Sequence, residues 1–178
     1  MAVQYRQARK VAEVEVHHVL EGRLHLVVCE EAAACRGTPP VVYTDETGYR
    51  IGGMNAWAWA FVTKSVSFIC ILWGRGYAKA ASLPGHDYSG TLMPDGWKPY
   101  RRFKRATLGT CEATNWPAEH EKRVVARIRK SCAGNRTERG ARTTSVLLGV
   151  LRTAIKLNVH ILNLVAAIMR DPVPHAHL

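Results

Sequence analysis

Long hydrophobic runs are absent from this 178-residue sequence. An apolar stretch such as FICILW at 68–73 is far shorter than the about 20 residues that a membrane-spanning helix requires. The first residues, MAVQYRQARK, are charged and are not followed by the apolar core of a secretory signal. We therefore expect a cytoplasmic protein that does not have a membrane as its partner.

Cysteines in paired or zinc-binding spacing are absent as well. The chain has five cysteines, an odd number, with no two at ligand spacing. They are Cys29, Cys35, Cys70, Cys111 and Cys132. The pairs His17-His18 and His175-x-His177 have no cysteine or acid beside them at ligand spacing. This pattern argues against disulfides and zinc and indicates a reducing compartment.

Acidic residues are scarce, since 14 Asp and Glu stand against 25 Lys and Arg. Residues 101–156 hold 14 of the basic residues and only four acids, which gives them a local net charge of +10. Concentrated positive charge favours a polyanion such as nucleic acid, because binding releases counterions from the polymer. A solvated basic face explains the same charge equally well. Both interpretations stay open on charge alone.

The apolar periodicity predicts an α/β fold with a mixed sheet. Residues 56–61, AWAWAF, alternate aromatic side chains on one face with alanines on the other, as a strand requires. We predict strands at 41–45, 56–61, 66–73 and 90–97, a hairpin turn at 51–55 and a short helix at 77–85. The first three strands can pair as an antiparallel meander, and the helix can return the fourth strand parallel to the first.

Two acids follow the ends of strands that would be neighbours in this sheet. Asp45 ends the first strand and Asp95 comes just after the fourth, so the two carboxylates would lie side by side. They repel each other unless a proton or a cation offsets the charge. Glu119, in the first turn of a helix predicted from Asn115 to Lys130, is a third candidate ligand for Mg²⁺. These acids also have an explanation without a metal. Asp45 and Asp95 would be ordinary turn residues, and Glu119 would interact favourably with the helix dipole.

Basic residues dominate the region that follows. A loop, CAGNRTERGAR at 132–142, contains arginines whose forked guanidinium groups match phosphate oxygens. Two apolar helices, at roughly 143–157 and 159–169, would then pack a stripe that includes Leu147, Val150 and Ala154 against the sheet. The candidate nucleic-acid-binding residues are Arg101, Arg102, Lys104, Arg105, Arg123, Arg127, Arg129, Lys130, Arg136, Arg139 and Arg142.

Four motifs occur in a fixed order along the chain. They are an acid-Glu-Thr-Gly in YTDETGYRIGGMNAWAWAFVT, an Asp-Gly-Trp in GRGYAKAASLPGHDYSGTLMPDGWKPYRRF, an Asn-x-x-Ala-Glu in ATNWPAEHEKRVVARIRK, and GNRTERGA. In this order they resemble the catalytic region of bacterial transposases of the insertion sequence 66 family. The resemblance covers roughly residues 41–172 and, more loosely, the helical lead-in.

This resemblance implies a ribonuclease H-like fold, related to retroviral integrases, and an Asp-Asp-Glu (DDE) triad. Matched residue by residue, the triad is Asp45, Asp95 and Glu119. These residues would bind Mg²⁺ or Mn²⁺ and support nicking at transposon ends, followed by attack of the freed 3′-hydroxyl on target DNA. DNA would then be the partner of the basic segment, and the bacterial nucleoid the place of action.

The sequence departs from the family pattern beside Cys111. Family members continue with His and Arg residues and a long helical insertion, whereas here Cys111 runs straight into Glu112, with only 23 residues between Asp95 and Glu119. The family's second Asn of the helix start is replaced by Trp116, and the Arg after the Glu by His120. The N-terminal zinc-binding and recognition segments of full-length members are also not found here. We therefore expect an internally deleted and N-terminally truncated copy.

These observations divide the chain into three predicted parts. Residues 1–40 are a helical lead-in, 41–140 a ribonuclease H-like catalytic region with the insertion missing near 111–112, and 141–178 the C-terminal helices and tail. Two functional hypotheses stay open: a DDE-type transposase, and an inactive remnant that binds DNA non-specifically through residues 101–156. A third is an interaction protein that forms a homo-oligomer through its C-terminal apolar helices.

Overall fold

A five-stranded mixed sheet with the first strand at its centre organises the molecule. The computed structural model describes residues 41–109 and 115–170. The strands are β1 (Val41–Ile51), β2 (Met54–Val62), β3 (Ser67–Trp73), β4 (Thr91–Pro94) and β5 (Thr107–Leu108). Their spatial order is β3-β2-β1-β4-β5. β1, β2 and β3 form an antiparallel meander, while β4 is parallel to β1 and β5 parallel to β4.

The predicted meander and its parallel fourth strand are therefore confirmed. The fifth strand was not predicted, because it has only two residues and so carries no periodicity of its own. The hairpin turn predicted at 51–55 is also present, and its central residues are Gly52 and Gly53. Both have positive φ, at 57° and 81°, a backbone conformation that glycine adopts without steric cost.

Four helices and one short 3₁₀ helix accompany the sheet in the described ranges. They are α1 (Tyr77–Ser82), the 3₁₀ helix (Lys98–Arg102), α2 (Trp116–Cys132), α3 (Glu138–Lys156) and α4 (Ile161–Arg170). The four helices predicted within these ranges are confirmed with shifted ends. α3 begins earlier than predicted because the Thr137 hydroxyl caps it by accepting a hydrogen bond from the Gly140 N–H at 3.1 Å. Part of the predicted loop at 132–142 is therefore helical.

Several predictions concern residues outside the described ranges. The lead-in at 1–40, with His17, His18, Cys29 and Cys35, lies there, as do the deletion junction near 111–112 and the tail from 171 onwards. Among the helices that are described, none combines the length and the apolar character needed to cross a bilayer.

The two faces of the sheet differ in the size of their side chains. Trp59 and Phe61 of β2 are buried in a cluster rich in aromatic side chains, together with residues of α1 and the 3₁₀ helix. On the other face Ala58 packs in a cluster with Val125 of α2 and Leu148 of α3. The alternation predicted for AWAWAF is therefore confirmed. Alanines leave room for α2 and α3 to approach the sheet closely.

Helix α3 also covers the free edge of β3. The backbone N–H of Ser67 donates to the Thr153 hydroxyl, and that of Ile71 donates to the Ser145 hydroxyl, both at 3.0 Å. These hydroxyl groups are buried. They satisfy donors that an uncovered edge strand would present to another chain.

The apolar stripe predicted to pack α3 against the sheet was partly wrong. Leu147 is exposed, and Val150 and Ala154 pack with Leu164 of α4 in a separate cluster. The sheet-facing contacts of α3 include polar ones, such as Ser145. Apolar periodicity missed this face because hydroxyl groups, which it counts as polar, occupy part of it.

The loop between α2 and α3 is tied to the turn between β1 and β2. The Asn135 backbone donates to the Arg50 carbonyl at 3.0 Å and accepts from the Gly52 N–H at 2.8 Å. Its side-chain oxygen accepts a hydrogen bond from the Tyr49 hydroxyl at 2.9 Å. Gly134, with φ +105°, lies so close that an added Cβ would collide with the Arg50 carbonyl oxygen. These contacts fix both helices against β1.

Gly134→Ala is expected to destabilise the protein strongly, because it combines a positive φ with this collision. Gly53→Ala is the matched control, since Gly53 also has positive φ but has open space around the added Cβ. We expect Gly134→Ala to lower the free energy of unfolding by about 2 kcal/mol more than Gly53→Ala does. Urea denaturation of both variants measures the difference, and equal losses would contradict the packing described here.

Candidate functional site

Asp45 lies in the middle of β1, and not at its end as the sequence had suggested. β1 continues for six residues beyond Asp45, to Ile51, and stays paired with β2 throughout. β4, in contrast, pairs with β1 only as far as Thr44, which lies opposite Pro94. Proline has no N–H to donate to a ladder, which suits it to the end of a strand. β1 therefore loses its β4 neighbour just where Asp45 begins.

Three carboxylates meet at this point. Asp45, Glu46 and Asp95 each offer one oxygen, and these oxygens all lie within 4.8 Å of one another. Asp45 and Glu46 are buried and Asp95 is exposed. Within the described residues this is the one group of three or more acidic, histidine or cysteine side chains close enough to share a metal ion. The structure thus brings the two predicted aspartates together.

Glu46 was not among the predicted site residues. Successive side chains of a strand point to opposite faces, so periodicity gave no reason to join Glu46 to Asp45. The signal in the sequence was the adjacent acid pair itself, in YTDETG.

The Asp45 carboxylate is fully buried. Its Oδ1 accepts a hydrogen bond from the Glu46 N–H at 2.8 Å. The Lys122 ammonium lies 2.5 Å from Oδ2 and forms an ion pair with it. Burial raises the pKa of Asp45; Lys122 opposes this shift, and the Asp95 charge adds to it. The site therefore holds a carboxylate whose ionised form is costly.

Glu46 is held by a different cation, on the aromatic face of the sheet. Arg75 donates from Nη2 at 2.6 Å and from Nε at 3.0 Å to one oxygen, and the Tyr100 hydroxyl donates to the other at 3.4 Å. The Arg75 guanidinium lies 4.6 Å from the ring centroids of both Trp57 and Trp97. Burial raises the pKa of Glu46, and Arg75 opposes the shift. Burial also raises the pKa of Tyr100 well above its ordinary value, with the Glu46 charge adding to the effect.

Polar contacts position α2 beside β1. At the start of the helix, the buried Asn115 side chain donates to the Thr44 carbonyl at 3.3 Å. Near its other end, Arg129 donates to the Gly48 carbonyl, four residues beyond the last β1 residue that pairs with β4. α2 therefore lies along the part of β1 that follows the end of β4, with Lys122 directed at Asp45.

Glu121 is the buried acid of α2. It accepts hydrogen bonds from Arg152 Nε at 2.6 Å and from the Ser67 hydroxyl at 3.1 Å. This network ties α2 to α3 and β3. The sequence-based predictions gave Glu121, Arg152 and Ser67 no role. The burial of Glu121 could have been predicted, because Ala118, Glu121 and Val125 have the spacing of one helix face.

Glu119, the predicted third member of the triad, is not part of the carboxylate group. Its side chain is 39% exposed and accepts a hydrogen bond from Arg123 Nη2 at 3.4 Å, four residues along the helix. It lies one turn before Lys122, and residues three apart in a helix are neighbours. A catalytic role for Glu119 therefore stays a prediction.

Ten of the eleven predicted nucleic-acid-binding residues are exposed, and the exception is Arg129. Arg129 is half-buried because it bonds the Gly48 carbonyl. On α2, Arg123, Arg127 and Lys130 follow the i, i+4, i+7 spacing of one helix face. They form an exposed basic stripe, on which Glu119 comes one turn before Arg123.

The fold and the site together define an α/β protein with a buried acidic site where a parallel strand pair ends. The chain belongs to the IS66 transposase family, because the sequence profile described as Transposase IS66 family matches residues 22–115, more than half of its length. The matched range contains Asp45, Glu46 and Asp95 and ends before Glu119. No curated protein and no solved structure matches the chain.

Asp45→Asn is expected to stabilise the fold at neutral pH. Because burial raises the Asp45 pKa, the folded state holds this proton more tightly than the unfolded state, and ionisation costs stability. The cost appears as pH rises through the window from the ordinary value of 3.8 up to the raised pKa. The variant should therefore gain about 1 kcal/mol, or about 2–4 °C in Tm, at neutral pH, and the gain should vanish in acid.

Thermal unfolding across a pH series measures this difference. Asp87→Asn removes the same charge from an exposed side chain and should change Tm little at any pH. A lower Tm for Asp45→Asn throughout the series would mean that the ion pair with Lys122 outweighs the cost of burial.

Proposed function

We propose that the chain is the catalytic core of a DDE-type transposase, with a ribonuclease H-like sheet, that nicks DNA strands and transfers them with Mg²⁺ or Mn²⁺. The observation that carries this proposal is the buried Asp45 carboxylate, whose pKa is raised by burial, beside the Asp95 carboxylate. Such a costly arrangement is typical of functional sites. Its oxygen donors are of the kind that Mg²⁺ and Mn²⁺ prefer.

Each site residue has a separate part in this proposal. Asp45 and Asp95 would hold the cation, which when bound would supply an activated oxygen nucleophile and offset negative charge at the phosphodiester. Glu46 is bonded to Arg75, so it orients that guanidinium between Trp57 and Trp97. The exposed basic residues of 101–156 would bind the DNA backbone.

Glu119 would complete the triad by turning towards the two aspartates. Its ion pair with Arg123 is exposed, and such pairs contribute little to stability, so changing partner costs little free energy. Glu46 is the competing third carboxylate, because it already lies in the group. Glu119→Gln and Glu46→Gln separate these alternatives, since the variant that loses more Mn²⁺-dependent activity identifies the third acid.

The wild-type chain is expected to nick supercoiled plasmid in Mn²⁺ and to be inactive in a chelator. Asp45→Asn and Asp95→Asn should each lower the nicking rate by about two orders of magnitude or more, because each removes a proposed metal ligand. Asp87→Asn, at an exposed position outside the group, is the charge-matched control and should retain activity. Gel analysis of nicked circles measures all four proteins. Unchanged nicking by Asp45→Asn would exclude this site as its source.

A DNA-binding remnant without catalytic activity is the second candidate function. Two observations favour it: Glu119 lies outside the carboxylate group, and the Lys122 ammonium already forms an ion pair with Asp45, a proposed metal ligand. The basic stripe of Arg123, Arg127 and Lys130 would still bind the DNA backbone without reading its sequence. Absence of nicking together with salt-sensitive binding would select this candidate.

Arg127→Gln/Lys130→Gln is expected to weaken DNA binding and to reduce its salt dependence. Each lost phosphate contact lowers the slope of log K against log salt by about 0.9, so the double variant should lose about 1.8. Lys64→Gln/Lys79→Gln removes two exposed charges outside the basic stripe and should leave the slope unchanged. Fluorescence anisotropy with a duplex oligonucleotide across a salt series measures both. Equal slopes for the two double variants would contradict a DNA-binding role for the stripe.

The proposed cellular setting is the bacterial nucleoid, where a DNA-acting member of this family meets its substrate. Homo-oligomerisation is a separate proposal, supported by the exposed apolar side chains of Leu162, Val165 and Met169 on α4. Light scattering distinguishes a monomer from a dimer.

A further inference from the structure

We propose that Lys122 is an internal cation that competes with the divalent ion for Asp45, so that metal binding has to displace its ammonium group. This inference rests on the proposed metal site. Lys122, on α2 and outside the carboxylate group, would then help to set the affinity for the metal ion.

The two oxygens of Asp45 have different neighbours. Oδ1 is engaged by the Glu46 N–H at 2.8 Å, whereas Oδ2 is the oxygen that lies 2.5 Å from the Lys122 ammonium. Asp45 is fully buried, so Oδ2 is not surrounded by solvent. Two cations close to the same oxygen repel each other strongly where water does not screen them. The ammonium and a divalent ion therefore exclude each other at this oxygen.

Lys122 is the more easily displaced of the two cations beside the carboxylate group. Arg75 is fixed by two hydrogen bonds to Glu46 and by two indole rings. Among the described residues Lys122 has one ion pair, and its side chain is 32% exposed. Its flexible stem lets a lysine move its charge into water. A divalent ion would thus displace Lys122 and leave the Arg75–Glu46 pair in place.

Displacement of Lys122 also bears on the proposed triad. Glu119 lies one turn earlier on the same helix and so neighbours the lysine side chain. While the ammonium is at Asp45, it offsets the charge that a metal ion would otherwise offset. Once it leaves, Asp45 Oδ2 is open to a metal ion beside the helix that also carries Glu119.

The test is the affinity of the purified full chain for Mn²⁺ alone, without DNA, by isothermal titration calorimetry. Lys122→Gln removes the competing charge and is expected to bind Mn²⁺ about tenfold more tightly than the wild type. Lys64→Gln, at an exposed position outside the basic stripe, removes the same charge away from the site and should bind within about twofold of the wild type. Lys122→Arg retains a cation and should not gain affinity.

The outcomes separate this inference from the metal site on which it rests. Mn²⁺ binding by the wild type with no gain in Lys122→Gln would overturn the competition and leave the metal site intact. An equal gain in Lys122→Arg would show that the charge is not the cause. If neither the wild type nor Lys122→Gln binds Mn²⁺, the proposed metal site falls and the inference falls with it. Circular dichroism spectra of the variants confirm that the compared proteins are folded.

Discussion

The parallel pairing of β1 with β4 ends at Thr44 and Pro94, and the arrangement of the site depends on where it ends. Up to that point β1 has a neighbour on each side. Beyond it, β1 continues beside β2 alone, and the first residue without a β4 partner is Asp45. The register also places Asp95, the residue after Pro94, next to Asp45. If β4 were longer, Asp45 and Asp95 would be paired residues of neighbouring strands, and their carboxylates would not meet at the end of β4.

A cation lies beside the carboxylate group on each face of the sheet. On the small-residue face, α2 packs closely enough for Lys122 to meet Asp45. On the aromatic face, Trp57 and Trp97 hold Arg75 against Glu46. Three carboxylates thus lie beside two cations. Buried acids with raised pKa values, such as Asp45 and Glu46, are characteristic of functional sites.

The sequence was most informative where side chains repeat over many residues. Alternation in AWAWAF and apolar runs of strand length predicted the sheet, because burial acts on every second residue of a strand. Asp95 was placed beside Asp45 by topology alone. Arg75, Tyr100 and Lys122 were missed because each meets the acids through a contact between distant parts of the chain. Glu121 could have been found, since its spacing from Ala118 and Val125 indicates the buried face of α2.

The connection between β3 and β4 bears on how this sheet assembles. Short turns join β1, β2 and β3, whereas β4 returns to β1 only after residues 74–90. Contacts between nearby residues form sooner, because less chain entropy is lost in closing them. The meander is therefore expected to form first, with Asp45 and Glu46 already in it. Docking of β4 then brings the Asp95 carboxylate towards those of Asp45 and Glu46. Repulsion among the three carboxylates is therefore expected to slow this late folding step.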